Sequence, residues 1–338
     1  MILVTGGSGL VGSHLLYMLV KGGQNVRATC RPSSNLDVIK EVFSLYTETP
    51  KATAHLFQKI EWVIADITEV PALSDAFIGV THVYHAAALI SFKDNDFLQL
   101  KKTNIEGTAN VVNLCLIHNI EKLIYVSSIA ALGKKHNGGL ISEKTEWNPE
   151  NDNSVYSISK YGAEMEVWRA TQEGLDAVIL QPGVIVGSGY WNSGSGMMFH
   201  RVTNGISFYT SGGIGIVDVQ DVVKAMLLLM QGQVVNESFV LVGKNISYRE
   251  LLCEISLSLN NRSPKRKAPK WLLSTISNID WMLSFVLRRD QKLPKAAVRS
   301  LYKTSFYDNS KIVAELNFDF TLYKETIKRV ALNYMNRH

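Results

Sequence analysis

Val4-Thr5-Gly6-Gly7-Ser8-Gly9-Leu10-Val11-Gly12 is the stretch whose reading decides the fold. Ile2-Leu3-Val4 reads as a short buried strand, and Leu15, Leu16 and Leu19 follow on one face of a helix that Gly22-Gly23 ends. The stretch satisfies G-x-G-x-x-G through Gly7, Gly9 and Gly12, and the wider G-x-x-G-x-x-G through Gly6, Gly9 and Gly12. Small residues at this spacing meet three needs: a tight turn, backbone approach to a pyrophosphate, and close packing of helix on strand. The helix N-terminus then offers N–H groups and positive potential to phosphates. In this strand-to-helix setting the pattern points to a dinucleotide rather than to a Gly-rich surface turn.

Outward from this stretch, strands are expected near residues 25–30, 60–65, 80–85, 123–127 and 176–181. Helices are expected over 36–47, 73–77, 103–118 and 156–171. Short apolar strands alternating with helices predict an α/β fold with a doubly wound parallel (Rossmann) sheet. A closed eight-fold barrel fits a glycine fingerprint at the first strand less well. After Gly183 the texture changes to a Gly/Ser/Trp/Met-rich passage and then to mainly helical sequence. The expected division is residues 1–183 for the dinucleotide, with a return near 216–231, and 184–338 as a smaller, mainly helical substrate domain. Asp218 is a candidate cap for a helix that begins at Val219.

Composition bounds the function. The 338 residues include 46% hydrophobic and 19% charged, with 35 Lys+Arg against 30 Asp+Glu, a formal charge of +5. That modest excess suits an anionic cofactor and does not call for nucleic acid. Cys30, Cys115 and Cys253 are too few and too scattered for a disulfide scaffold or metal cluster, so a reducing cytoplasm is the expected compartment. No metal site, targeting signal or conventional membrane span is expected.

The end of the second strand bears on the choice of cofactor. An acid there accepts from the ribose hydroxyl of NAD. Here the strand runs into Arg31-Pro32-Ser33-Ser34-Asn35, with no acid before Asp37. A guanidinium suits a phosphate, so NADP is favoured over NAD, with Arg31 as the selecting residue and Ser33, Ser34 and Lys40 as helpers. Asp66, after the third strand, either accepts from the adenine amine or caps the next helix. His85-Ala86-Ala87-Ala88 ends the fourth strand, and its small side chains would admit a flat cofactor.

Tyr156 and Lys160 are one helical turn apart and share a face. A phenol is a poor acid–base group at neutral pH, and a nearby ammonium is expected to lower its pKa. Ser127 and Ser128 end the fifth strand, where a hydroxyl would hold a substrate oxygen beside that phenol.

Together these residues resemble the extended short-chain dehydrogenase/reductase family. The resemblance places the adenine-side acid on Asp66, beside Ile67, and the helix motif N-x-x-G-T-x-N on Asn104, Gly107, Thr108 and Asn110. Its Ser-Tyr-Lys set falls on Ser128, Tyr156 and Lys160, with Asn104 as a fourth catalytic residue in a proton relay. Ser128 is chosen over Ser127 because it stands five positions before Gly133. Cofactor contacts are implied at Thr5, Gly6, Ser8, Gly9, Leu10, Val11, Gly12, Arg31, Asp66, Ile67, Ala86, Ala87, Ala88, Tyr156, Lys160, Pro182, Gly183 and Ile185. Within the family, Val26 to Arg31 is similar to dihydroflavonol reductases and to cinnamoyl-CoA and aldehyde or ketone reductases. Ile129-Ala130 replaces the Asp-Glu of sugar-nucleotide dehydratases, and Leu132 replaces a Tyr common in epimerases. The resemblance therefore implies hydride transfer from NADPH to a carbonyl carbon, with Tyr156 supplying the proton, Ser128 positioning the oxygen and Lys160 binding the ribose.

The expected function is an NADP-dependent oxidoreductase that reduces a small apolar or aromatic ketone or aldehyde. The alternatives are a nucleotide-sugar epimerase or dehydratase, and a non-catalytic dinucleotide sensor. Leu89, Phe92, Trp191, Met197, Met198 and Phe199 are candidate pocket walls, with the small-domain core as their other reading. Arg201, Arg288 and Arg299 are the candidate partners for a nucleotide-sugar diphosphate. Residues 271–289 form an apolar segment with cationic ends, which suits either a peripheral membrane contact or packing on the protein; packing is preferred. Similar enzymes are monomers or homodimers, and the sequence leaves both open.

Overall fold

The structure is a computed structural model that describes residues 1–135, 139–289, 291 and 293–337, and the side chain of Phe285 lies outside the described residues. The strands in chain order are β1 (Ile2–Thr5), β2 (Val26–Cys30), β3 (Ile60–Ile64), β4 (His82–His85), β5 (Lys122–Val126), β6 (Ala177–Pro182), β7 (Val184–Val186), β8 (Phe208–Tyr209), β9 (Gly213–Asp218), β10 (Glu237–Leu241), β11 (Lys244–Ser247) and β12 (Arg266–Lys267). Seven of them form one sheet in the order β10-β6-β5-β4-β1-β2-β3, and every pair in it is parallel. This is the expected doubly wound α/β fold. After β3 the chain crosses back to lay β4 on the other side of β1, and the C-terminal ends of β1 and β4 thereby open the crevice where such sheets bind ligands.

Burial on both faces explains the unbroken apolar runs of the strands. On one face Val4, Ile124, Val178 and Leu180 pack against Leu15, Leu16, Phe43, Val223 and Met226. On the other, Leu3, Leu123, Tyr125 and Ile179 pack against Leu73, Val111, Cys115, Ala163 and Val167. Successive strand residues thus alternate between the two cores.

The structure corrects several expectations. The helix expected over 36–47 is Asp37–Ser44, and a second helix that was not expected, Pro50–Phe57, follows it. The second starts at a Thr49 cap whose Oγ1 accepts from the Ala52 N–H at 3.2 Å, followed by a first-turn proline. The helix expected from 103 begins at Phe97 and contains a π-helical turn, Lys101–Glu106, before Gly107–Ile117. The return to the sheet is longer than 216–231: it comprises the helix Val219–Gln231, capped by Asp218, and β10. β9 belongs instead to a three-stranded sheet with β7 and β11.

Around that small sheet, Trp191, Phe199, Val202, Leu251, Ile255, Ile327 and Tyr334 form a separate core, with Met198 packed on it. Trp191, Met198 and Phe199 are therefore core residues rather than pocket walls. Asp218 locks the last long helix, Tyr323–Arg337, by accepting from Thr326 Oγ1 at 2.6 Å and pairing with Arg329. The helix Lys270–Val286 packs against the helix Lys295–Tyr302 through its polar side, so the packed apolar face preferred for it is not realised.

Candidate active site

The ligand-directed residues lie beyond the C-terminal ends of neighbouring parallel strands. The glycine loop follows β1, Arg31 follows β2, Asp66 follows β3, Ala86 to Ala88 follow β4, Ser128 follows β5, and Gly183 follows β6.

At the switch point Gly6 has φ +73°, and a Cβ there would stand 2.5 Å from the Ala87 nitrogen. Only glycine allows the β1 loop to rest against the end of β4. A Cβ on Gly12 would stand 2.2 Å from the Gly6 oxygen, so the first helix leans directly on the loop. Gly9 is different: its nearest neighbour to such a Cβ is the Gly6 oxygen at 3.4 Å, and the residue is exposed. Gly9 is also the cap of the helix Leu10–Lys21, with no side chain to satisfy the first-turn N–H groups and no acid in that turn. Ser8 is held from both sides, its carbonyl by Tyr190 Oη at 2.7 Å and its hydroxyl beside Ser34 Oγ at 3.2 Å. Gly6, Ser8, Gly9 and Leu10 therefore line the accessible side of the motif, whereas Thr5, Val11 and Gly12 are buried in its packing. These free donors, the positive helix end and the open Gly9 surface fit a pyrophosphate.

Arg31 is exposed, and its backbone N–H donates to Ser34 Oγ at 3.0 Å, which folds the β2 end toward Ser8. Lys40 pairs with Asp37 at 2.9 Å and lies over the Phe57 ring. Asp66 Oδ1 accepts from the Thr68 N–H and hydroxyl, both at 2.9 Å. The cap of the next helix is Glu69, so Asp66 does not fill that role. Ile67 is buried, and its carbonyl accepts from Asn110 Nδ2 at 3.0 Å.

His85 is fully buried between two hydroxyls: Nδ1 meets Thr5 Oγ1 at 2.6 Å and Nε2 meets Thr108 Oγ1 at 3.0 Å. Burial, helped by the nearby Lys160 charge, drives its pKa down to about 3, which keeps the ring neutral. Its ring stacks on Tyr125 with centroids 5.2 Å apart. The Thr5 and His85 side chains thus serve the scaffold.

Asn104 sits on the π turn. Its Oδ1 accepts from the Leu89 N–H at 2.7 Å, and its Nδ2 donates to the Leu89 carbonyl at 3.0 Å and to Ser159 Oγ at 2.9 Å. Ser159 in turn donates to the Tyr156 carbonyl at 2.8 Å. Asn104 therefore clamps the post-β4 loop to the Tyr156 helix, and these three bonds reach neither the Tyr156 phenol nor Lys160. The extra residue of a π turn supplies this position.

Tyr156 opens the helix Val155–Gln172, which Ser154 caps by accepting from the Ser157 N–H at 3.1 Å. Phe92 packs edge-on against the Tyr156 ring with centroids 5.5 Å apart. Burial pushes the Tyr156 pKa up to about 12, and the Ser128 hydroxyl facing the phenol opposes that rise. The lowered pKa expected for this phenol is not found in this state. Burial dominates, and the Lys160 ammonium is engaged elsewhere: Nζ donates to Tyr125 Oη at 2.7 Å and to the Val126 carbonyl at 3.0 Å. Two of its three donors are thereby used. Burial pulls the Lys160 pKa down to about 7, and Glu164 holds it up.

Glu164, Gln181 and Tyr125 form a buried polar group around Lys160 that the sequence reading missed. Gln181 Nε2 donates to both Glu164 oxygens at 3.1 Å, and Glu164 lies one turn beyond Lys160. Burial raises the Glu164 pKa to about 7, against Ser127, Gln181 and Lys160. The available signal was the continuation of the 156–160 stripe to 164. Gly183 donates its N–H to the Leu241 carbonyl at 2.9 Å, so Pro182 and Gly183 close the β6 edge of the crevice, and Ile185 packs on the core beside them.

With this geometry in place, a family model described as the NAD dependent epimerase/dehydratase family matches residues 2–242. The chain belongs to the NAD-dependent epimerase/dehydratase family. It is an NAD(P)-dependent oxidoreductase-type enzyme, and its resemblance to the extended short-chain dehydrogenases/reductases holds. A putative dihydroflavonol 4-reductase of Synechocystis sp. is 29% identical over 99% of this chain and 94% of its own length. Sterol demethylase protein B of Methylococcus capsulatus is 24% identical over 93% of this chain and 92% of its own. The UDP-glucose 4-epimerase structure from Thermotoga maritima shares the family fold with a TM-score of 0.78 at 19% identity, covering 99% of each chain. These similar proteins are named as a reductase, a sterol demethylase protein and an epimerase, so the similarity fixes the chemistry only to that breadth.

Proposed function

We propose that the protein is an NADP-dependent reductase of a ketone or aldehyde on a small apolar or aromatic substrate. One observation carries the reading: the buried Tyr156 phenol faces the Ser128 hydroxyl and stands one turn from the Lys160 ammonium. A phenol with its proton in place is an acid, and carbonyl reduction needs an acid at the oxygen.

When bound, the nicotinamide supplies the hydride that reaches the carbonyl carbon. Gly6, Ser8, Gly9 and Leu10 would hold the pyrophosphate, Ala86 to Ala88 and Gly183 would bound the crevice, and the remaining donor of Lys160 would bind a ribose hydroxyl. Ser128 Oγ and Tyr156 Oη hold the substrate oxygen together. As charge grows on that oxygen, the Tyr156 proton passes to it, and Lys160 offsets the phenolate left behind. Asn104 acts as a positioning residue through Leu89 and Ser159. Asp66, whose Oδ1 is taken by Thr68, would accept from the adenine amine through its other oxygen.

Two features support simple reduction over dehydration or epimerisation. Ile129 and Leu132 pack with Ile141, Val240 and Val242, so no acid pair stands after Ser128. Arg299 is paired with Asp152 at 2.6 Å, which commits it away from a diphosphate. Arg31, with Ser33 and Ser34, supports NADP, since no acid stands at the β2 end to accept from a free ribose hydroxyl.

The test is NADPH consumption with small aldehydes, aromatic ketones, flavonoid-like ketones and nucleotide-sugars. Stoichiometric NADPH loss with an apolar carbonyl supports the reductase. Inversion of a sugar without net cofactor loss would make it an epimerase, and tight cofactor binding without turnover on any of them would make it a sensor.

A further inference from the structure

The helix Lys270–Val286 is built inside out. Two of its polar residues face the protein: Ser277 and Asp280 are buried, Ser277 Oγ donates to the Leu293 carbonyl at 2.8 Å, and Asp280 accepts from the Leu293 N–H at 2.9 Å and from Arg289 at 2.6 Å. The opposite face carries Trp271, Ile276, Ile279, Met282, Leu283 and Val286, each between 39% and 68% exposed. Spacings of three and four put Ile276, Ile279, Met282, Leu283 and Val286 on one stripe, with Trp271 at its N-terminal edge. A soluble protein gains nothing by burying serine and aspartate while wetting such a stripe, and a contiguous exposed apolar face of this kind marks an interaction surface.

Charge identifies what covers it. Lys265, Arg266, Lys267 and Lys270 precede the stripe and Arg288 follows it; all five are exposed, and among the described residues none pairs with an acid. Asp280, the one acid on the helix, is turned inward. A second copy docked face to face would set cations against cations whether the two helices ran parallel or antiparallel. An anionic bilayer matches instead, with headgroups meeting the two basic ends and the acyl boundary taking the stripe. Trp271, at the start of the stripe, is the residue type that settles at such a boundary. No described helix is long and apolar enough to cross a membrane, so this one lies in the surface plane.

We propose that the 270–288 face seats the protein on an anionic membrane surface. The experiment is co-flotation of the full chain with vesicles of phosphatidylcholine alone and of phosphatidylcholine mixed equally with phosphatidylglycerol. Capture is expected on the mixed vesicles, to weaken with added salt, and to fall at least about tenfold on phosphatidylcholine alone. Met282→Gln with Val286→Gln removes apolar contact, and Lys267→Ser with Lys270→Ser removes charge. Either pair is expected to reduce capture about tenfold or more with Tm unchanged, since all four positions are exposed. Absence of capture on mixed vesicles would overturn the proposal, as would capture that both variant pairs leave undiminished. A dimer in sedimentation velocity that Met282→Gln with Val286→Gln dissociates, without vesicle capture, would assign the face to a second copy instead.

Discussion

Lys160 and Glu164 stand one turn apart on the same helix, and both are inside the protein, 1% and 4% exposed. Their remaining partners are neutral: Tyr125 Oη for the ammonium and Gln181 for the carboxylate. Burial works against both charges, drawing Lys160 down to about 7 and Glu164 up to about 7, while each opposes the other's shift. The pair therefore titrates as a unit near neutrality. Because Lys160 is the ammonium that offsets the Tyr156 phenolate in the proposed reaction, Glu164 is expected to influence the pH range in which that reaction runs.

Glu164→Gln removes the charge that holds Lys160 protonated and leaves the burial that pulls it down. The alkaline limb of kcat/KM is expected to move to lower pH in this variant, and a limb that stays in place would show that Glu164 does not act on Lys160. Stability carries an independent sign. Glu164 has a folded pKa raised from 4.5, so its contribution is full below that value and is lost as pH rises through about 7. The Tm of the parent relative to Glu164→Gln is therefore expected to fall between about pH 5 and pH 8.

Gly6 and Gly9 separate scaffold from ligand surface. Gly6→Ala places a Cβ against Ala87 at positive φ, and is expected to cost more than about 2 kcal/mol of stability. Gly9→Ala meets ordinary packing at φ −95°, so stability stays within about 1 kcal/mol. Its methyl instead enters the space assigned to the pyrophosphate, and dinucleotide affinity is expected to fall by about tenfold or more. Chemical denaturation and cofactor titration of the two variants check the contrast; equal affinity in Gly9→Ala would remove the loop from the phosphate site.

The sheet was legible because each strand of a doubly wound fold is a short apolar run bracketed by turn residues, as in Ile2–Thr5 and Lys122–Val126. The glycine loop and the Tyr156–Lys160 pair were legible because their spacing came with context: a preceding strand for the first, and a dinucleotide motif, a helix start and a hydroxyl pair at a strand end for the second. Other features depended on tertiary context. β10 joins the main sheet only because the helix Val219–Gln231 returns the chain to it. Trp191 and Phe199 satisfy a pocket wall and a core equally well as sequence, and the small sheet made them core. The amphipathic pattern of 270–286 is the same whether its apolar side is packed or exposed. Glu164 and Gln181 were hidden because a charged residue on a helix and an amide in a strand are ordinarily surface groups.

Arg31→Ala is expected to weaken NADPH much more than NADH, by about tenfold or more if the guanidinium holds the ribose phosphate bidentately. Fluorescence titration with the two cofactors measures the ratio. Equal losses would take Arg31 out of the phosphate site and leave Ser33 and Ser34 as the polar groups at the β2 end.

The proton on the Tyr156 oxygen is the centre of the account, and single-turnover decay of bound NADPH with an accepted carbonyl substrate tests it most directly. Tyr156→Phe keeps the ring that packs against Phe92 and removes only the hydroxyl. The variant is expected to bind NADPH as the parent does and to oxidise it about a hundredfold to ten-thousandfold more slowly. Decay at the parental rate, with cofactor bound equally well, would show that another group protonates the substrate and would contradict the mechanism.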